Sequence, residues 1–239
     1  MSVPAVMRGA AQPSRGIRLW AGKNLVYLGL VALVLLAGSG RSGWPAGWGY
    51  LVFLAVYLTA LGALLARRNP GLLAERSGVQ EGAESWDVPL ASLSAVWLPL
   101  GLYVVVALDE RYGWSPGLGA VAFTAGAVLL VGGTVLSTWA MLVNGWFSAV
   151  VRLQSDRGQV VVDRGPYRFV RHPGYAGSLL LYLGVALVLG SLWGLVVVAL
   201  LAGLLALRTA REDRFLRTRL AGYPEYAARV RFRLIPFVW

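Results

Sequence analysis

YAGSLLLYLGVALVLGSLWGLVVVALLAGLLAL, residues 175–207, carries no charged side chain from end to end. A helix crosses the hydrocarbon core of a bilayer in about 20 apolar residues, so this run is too long for one span. Gly190-Ser191 interrupts it near the middle with residues suited to a turn. The stretch therefore predicts a tight helical hairpin of two short spans. A hairpin returns the chain to the face it left, so the polar segments on either side of it must lie close together in space.

Working outward, four further apolar runs meet the length of a span: Trp20 to Ala37, Trp48 to Ala66, Pro89 to Leu108 and Leu118 to Val143. With the hairpin they make about six. The fold class expected is an all-α, multi-pass membrane bundle. It forms a single domain over residues 1–239, with four N-terminal spans (1–143) ahead of a C-terminal region (144–239) that holds the hairpin. Segment 67–88 reads as a short helix plus loop. Composition agrees: 57% of the 239 residues are hydrophobic and 14% charged, where a soluble domain carries about a quarter charged. The Arg-dotted, Pro-broken start does not read as a cleavable leader.

Charge sets the orientation. Twenty of the 22 basic residues fall before or at the start of the first span, in 67–88, in 144–174 or beyond Leu207, leaving Arg41 and Arg111 opposite. By the positive-inside rule both termini are cytoplasmic. Trp20, Trp44, Trp48, Trp86, Trp97 and Trp114 lie near span ends, as interfacial anchors do. Lys23 is the one lysine among the basic residues, a composition that points to a GC-rich bacterial genome and hence to a bacterial inner membrane. The net charge of +11 is read as topology and anionic-lipid contact rather than nucleic-acid binding. No obligate protein partner is indicated.

The chain has no cysteine and one histidine, His172, which excludes thiolate chemistry and argues against any metal site. No GxGxxG, P-loop or G-x-S-x-G motif occurs. No acidic residue lies inside a predicted span, which disfavours a coupled transporter.

Chemistry then concentrates on the two segments flanking the hairpin, 144–175 and 208–236. In His172-Pro173-Gly174-Tyr175, proline suits the first position of a helix, so His172 falls at the N-cap. The free N–H groups there suit an anion, with Arg171 nearby. The plain alternative is a capped helix whose histidine bonds only to backbone. Arg208 and Glu212 share a helix face, either as an ordinary i,i+4 ion pair or as separate contacts to an anionic acceptor and a cationic ligand. Gln159 to Val162 reads as a short extended stretch able to wall a planar ring, or as an ordinary connector. Arg152, Arg157, Arg164 and Arg168 read as interfacial lipid contacts.

Taken together, GPYRFVRHPGYAG (165–177), the hairpin, RTAREDRFL (208–216) and GYPEYAARVRFRLIP (222–236) resemble the integral membrane methyltransferases related to isoprenylcysteine carboxyl methyltransferase, with the phospholipid methyltransferases more distant. NPGLLAERSG (69–78) adds a weaker match. The resemblance implies an S-adenosylmethionine-dependent enzyme with a non-Rossmann cofactor pocket on the cytoplasmic side. By matching position, Gln154, Gln159, Val160, Val161 and Val162 would line the adenosine. Tyr167, His172, Pro173, Gly174, Tyr175 and Glu212 would complete the cofactor site, and Arg208 would bind the acceptor. The family's acidic pair is often Glu-Glu where this chain has Glu212-Asp213, and Gln159 stands where some relatives have histidine. The acceptor implied is lipophilic, and an ionised carboxylate held bidentately by Arg208 needs no general base. For an amine acceptor, as in phospholipid N-methylation, or a thiol, a proton must leave, and His172 or Asp213 would be the nearest bases. A third reading is a non-enzymatic transport or assembly protein using the basic loops.

Overall fold

The computed structural model describes residues 13–77 and 82–239. The leader reading and part of segment 67–88 fall outside them. Among the described residues the chain is helical, without a strand. α1 (Pro13–Ser39), α2 (Pro45–Arg68), α6 (Gly119–Val143) and α8 (Leu192–Arg219) are single long helices. α4 (Asp87–Ser92) and α5 (Leu98–Tyr112) are joined by a π-helical turn, Leu93–Trp97, into one rod of 26 residues. These five are long and apolar enough to cross a membrane. The sixth expected span, α7 (Pro173–Val188), is a shorter apolar helix of 16 residues, about 24 Å long. Val121, Leu25, Val26 and Val128 are among the exposed apolar side chains, the surface a helix shows to lipid rather than to water.

Local sequence sets the breaks. α2 ends at Arg67-Arg68, and Asn69 accepts from the Leu72 N–H to start α3 (Pro70–Ser77), with proline at its first position. α5 stops at Gly113, whose φ of 64° closes the helix with a bond from its N–H to Asp109 O. The hairpin turn lies at Gly190-Ser191, as expected. Ser191 Oγ accepts from the Gly194 N–H and donates to buried Asp109, which also accepts from Ser115 N and Oγ at 2.7 and 2.6 Å. One end of the bundle is thus tied together by Asp109 and by the Arg41–Glu110 pair.

α6 and α7 form the tightest pairing. Gly126 and Gly133 on α6 face Gly184 and Gly177 on α7, each pair spaced by seven residues. A methyl on Gly133 would collide with the Gly177–Leu181 backbone, and one on Gly184 with Leu130. Small residues let two backbones touch where lipid offers no hydrophobic drive for association. This packing fixes where α7 begins, and α7 begins at the site. Trp44, expected at the interface, is buried against Gly47 in the core.

Candidate functional site

His172 is the N-cap of α7 and Pro173 its first residue, as the sequence implied. The chain on either side is pinned. Arg171 N donates to Phe232 O and His172 N to Arg233 O, both at 2.9 Å, so the C-terminal segment runs beside the helix start. Arg171 also holds Asp213 through Nε (2.7 Å) and Nη2 (3.1 Å), and its Nη1 reaches the carbonyls of Ala227, Val230 and Arg231. Asp213 further accepts from Tyr223 Oη, Arg217 and Arg233. Both groups are almost completely buried. Two expectations are corrected here: Arg171 has no free edge for an anionic ligand, and a carboxylate held by three guanidiniums is no general base. Their work is to dock α9 (Tyr223–Arg229) and the C-terminus onto the α7–α8 pair.

Between these elements and the loop 144–168 opens a cleft of about 840 Å³. Gln154, Gln159, Val160, Val161, Val162, Tyr167, His172, Gly174, Tyr175 and Glu212 all line it. Pro173 does not; it is buried at the helix start. Residues 159–163 run without helix or ladder, with Gln159 N donating to Gln154 O at 3.2 Å. Gln154 is present in the wall, but its carboxamide is spent on the loop. Its Nε2 donates to Trp146 O and its Oε1 accepts from Arg157, while its backbone N–H takes Gln159 Oε1. Asn144, Trp146, Leu216, Leu220, Tyr223 and Tyr226 also line it and were not singled out from sequence. Asn144 Nδ2 bonds Tyr167 Oη at 3.1 Å, and Tyr226 Oη bonds Tyr167 O at 2.8 Å. Burial raises the Tyr167 phenol above its ordinary pKa against that Asn144 bond, so it stays a neutral donor.

Tyr175 is the hinge of the site. Its hydroxyl donates to Glu212 Oε2 at 2.7 Å on the cleft side, and its ring lies parallel to His172 with centroids 5.7 Å apart. The Arg208 guanidinium sits 5.2 Å above the same ring, within cation–π range. Arg208 and Glu212, one turn apart on α8, are therefore joined through Tyr175, not paired with each other. Among the buried polar atoms, His172 Nε2 has no hydrogen-bond partner, standing 3.9 Å from Asp213.

Arg208 lies outside the cleft wall. It lines a second, larger cavity of about 1510 Å³ between α1, α2, α5, α6, α7 and α8. The bidentate grip on an acceptor expected of it is already taken. Its Nε and Nη2 fork onto Asp87 at 2.7 and 2.8 Å, and Nη2 also reaches Ala149 O. Asp87 in turn accepts from Val151 N at 2.6 Å. Nη1 remains, with a long 3.5 Å contact to Ser94 Oγ, and Ser94 belongs to the π-helical turn. Such turns recur where a helix is reshaped for function. Phe147, Ser148, Gly174 and Tyr175 border both cleft and cavity, so the two spaces meet at the start of α7.

Residues 121–221 match the family model described as phospholipid methyltransferase. Over 116 residues the chain is 32% identical to proteins described as probable protein-S-isoprenylcysteine O-methyltransferase from Oryza sativa, subspecies indica and japonica; the match covers 47% of this chain. The chain spans 60% of the length of those relatives. The solved structure of the eukaryotic intramembrane Ras methyltransferase, isoprenylcysteine carboxyl methyltransferase, shares its fold. The TM-score is 0.55 at 21% identity, covering 90% of this chain and 75% of that one. These findings support the isoprenylcysteine carboxyl methyltransferase-like reading of the sequence and an integral membrane fold.

Proposed function

We propose that this chain is an S-adenosylmethionine-dependent membrane methyltransferase that esterifies the carboxylate of a lipophilic acceptor. The observation that carries the reading is the meeting of a polar cleft and an intramembrane cavity at Gly174, Tyr175, Phe147 and Ser148. A water-soluble methyl donor and a membrane-dissolved acceptor need such adjoining spaces.

The cleft suits the donor chemically. Glu212, half-buried, offers a carboxylate to positive charge, and the flat faces of Tyr167 and His172 offer stacking surfaces. The valine run and the backbone of 159–162 suit a purine, and the N-terminus of α7 suits a carboxylate. His172 Nε2, buried without a partner, is a polar atom that a ligand would satisfy. S-adenosylmethionine, when bound, supplies an electrophilic methyl on sulfur. On the acceptor side, Arg208 Nη1 is placed to orient one carboxylate oxygen, with Asp87 holding the guanidinium still. Held there, that oxygen would receive the methyl that the donor supplies, and the electron pair of the S–CH3 bond would stay on the donor's sulfur. No proton moves, so no base is required. Positioning of this kind supplies several kcal/mol of the barrier.

The cleft is assigned to the cytoplasmic face, with both termini there, on the distribution of basic residues. The host membrane is assigned as bacterial inner membrane on the arginine-for-lysine composition alone. N-methylation of a phospholipid is the second reading, favoured by the family model over 121–221. The test is transfer of labelled methyl from S-adenosylmethionine by the protein in nanodiscs, offered a prenylcysteine analogue or phosphatidylethanolamine. Base-labile ester on the first supports the proposal. Label on the amine of the second, with none on the first, replaces it with N-methylation.

A further inference from the structure

The cavity beneath Arg208 is apolar along most of its wall, yet it holds a polar knot halfway through the bundle. Tyr27 on α1, Tyr50 on α2 and Tyr103 on α5 all line it, and their hydroxyls converge. Tyr50 Oη and Tyr103 Oη lie 2.6 Å apart, and Tyr27 Oη and Tyr103 Oη 3.2 Å apart. Tyr50 and Tyr103 are 2% and 1% exposed. Of the other hydroxyls on the wall, Ser94 turns to Ala91 O, Ser137 and Ser178 to Gly174 O, and Tyr175 to Glu212, while Tyr57, Ser148 and Tyr182 also line it.

Three phenols bring three O–H donors and make two bonds among themselves. At least one donor is therefore left over, and it faces the cavity. A hydrocarbon chain cannot use it, and leaving such a donor unmet in an apolar interior is unfavourable. A fully saturated or prenyl tail would be better served by phenylalanine at all three positions.

Resting on the methyltransferase reading above, we infer that the Tyr27–Tyr50–Tyr103 cluster reads an oxygen function partway along the acceptor's tail. The acceptor class is then a long-chain carboxylate bearing a hydroxyl, carbonyl or ether oxygen. Its distance from the reacting end follows from α5: Ser94 touches Arg208, and Tyr103 lies nine residues further on, about 14 Å at 1.5 Å per residue.

The test uses radiolabelled stearate and 12-hydroxystearate, whose hydroxyl falls near that depth in an extended chain. Equilibrium binding is measured to the full chain in nanodiscs, with empty nanodiscs subtracted. The hydroxylated acid is expected to bind about fivefold to tenfold tighter. Tyr103→Phe should abolish the preference, bringing the affinity for 12-hydroxystearate down to that for stearate. Tyr27→Phe, at the less buried edge of the cluster, should reduce it and serves if Tyr103→Phe does not fold. Equal binding of the two acids, no binding of either, or a preference that survives these variants overturns the assignment. S-adenosylhomocysteine binding to the same preparation separates the two claims. If it binds and the preference is absent, the tyrosine assignment falls alone. If the preference is present and it does not bind, the methyltransferase reading falls.

Discussion

Asp87→Ala removes one half of the ion pair on which the acceptor side of the site is built. Asp87 is fully buried and Arg208 is 3% exposed. Three bonds end on that carboxylate, two from Arg208 at 2.7 and 2.8 Å and one from Val151 N at 2.6 Å. Breaking a buried pair from one side strands the other charge, which costs about 3–5 kcal/mol. The orphaned Val151 N–H adds to that, by about 1 kcal/mol or more. Distance alone does not decide the outcome. Arg41–Glu110 is as short, 2.6 Å, but the arginine side chain is 66% exposed, so Arg41→Ala should cost under about 1 kcal/mol. The contrast separates burial from geometry. Reversible denaturant titration of each variant in the same detergent reads it directly. Asp87→Leu combined with Arg208→Met removes both charges at similar volume and should recover most of the loss. An Asp87→Ala cost below about 1 kcal/mol, or a double variant no better than the single, would refute the reasoning.

Two further perturbations test the scaffold. Gly133→Leu should wedge α6 from α7, because its Cβ meets backbone with no room to yield; a loss of about 3 kcal/mol or more is expected. The neighbouring Gly132→Leu, whose Cβ meets nothing within 4 Å, should be near neutral in the same titration. Arg171→Ala should release the C-terminal segment and appear as new proteolytic cleavage beyond Tyr223. Arg217→Ala, on the same carboxylate but with a side chain 42% exposed, should leave the digest unchanged.

What the sequence made legible was local. The hairpin followed from an uncharged run too long for one helix, and the N-cap at His172 from the proline after it. Ten of the eleven residues matched to a cofactor site share one cleft wall, because most of them lie on one continuous loop and the helix start it feeds. Long-range partners were not legible. Arg208 and Glu212 share a face as their spacing requires, but each is claimed by a group 121 or 37 residues away, Asp87 and Tyr175. Nothing beside Asp87 marks its partner, except that a lone carboxylate at the mouth of an apolar span needs one. Asp213 shows the same gap: Arg217 is one turn away, but Arg171, Tyr223 and Arg233 come from segments on both sides of the hairpin. The glycines of α6 and α7 repeat at seven residues, a signal present in the sequence that apolar length alone passes over.

The most direct test of the central claim is calorimetric binding of S-adenosylhomocysteine to the detergent-purified chain, alongside Glu212→Gln. That variant keeps an oxygen for the Tyr175 hydroxyl and removes only the charge. Saturable one-site binding, weakened at least about tenfold by Glu212→Gln, is expected; tenfold corresponds to about 1.4 kcal/mol. Absence of binding at millimolar ligand, in protein shown to be folded, would contradict the methyltransferase reading.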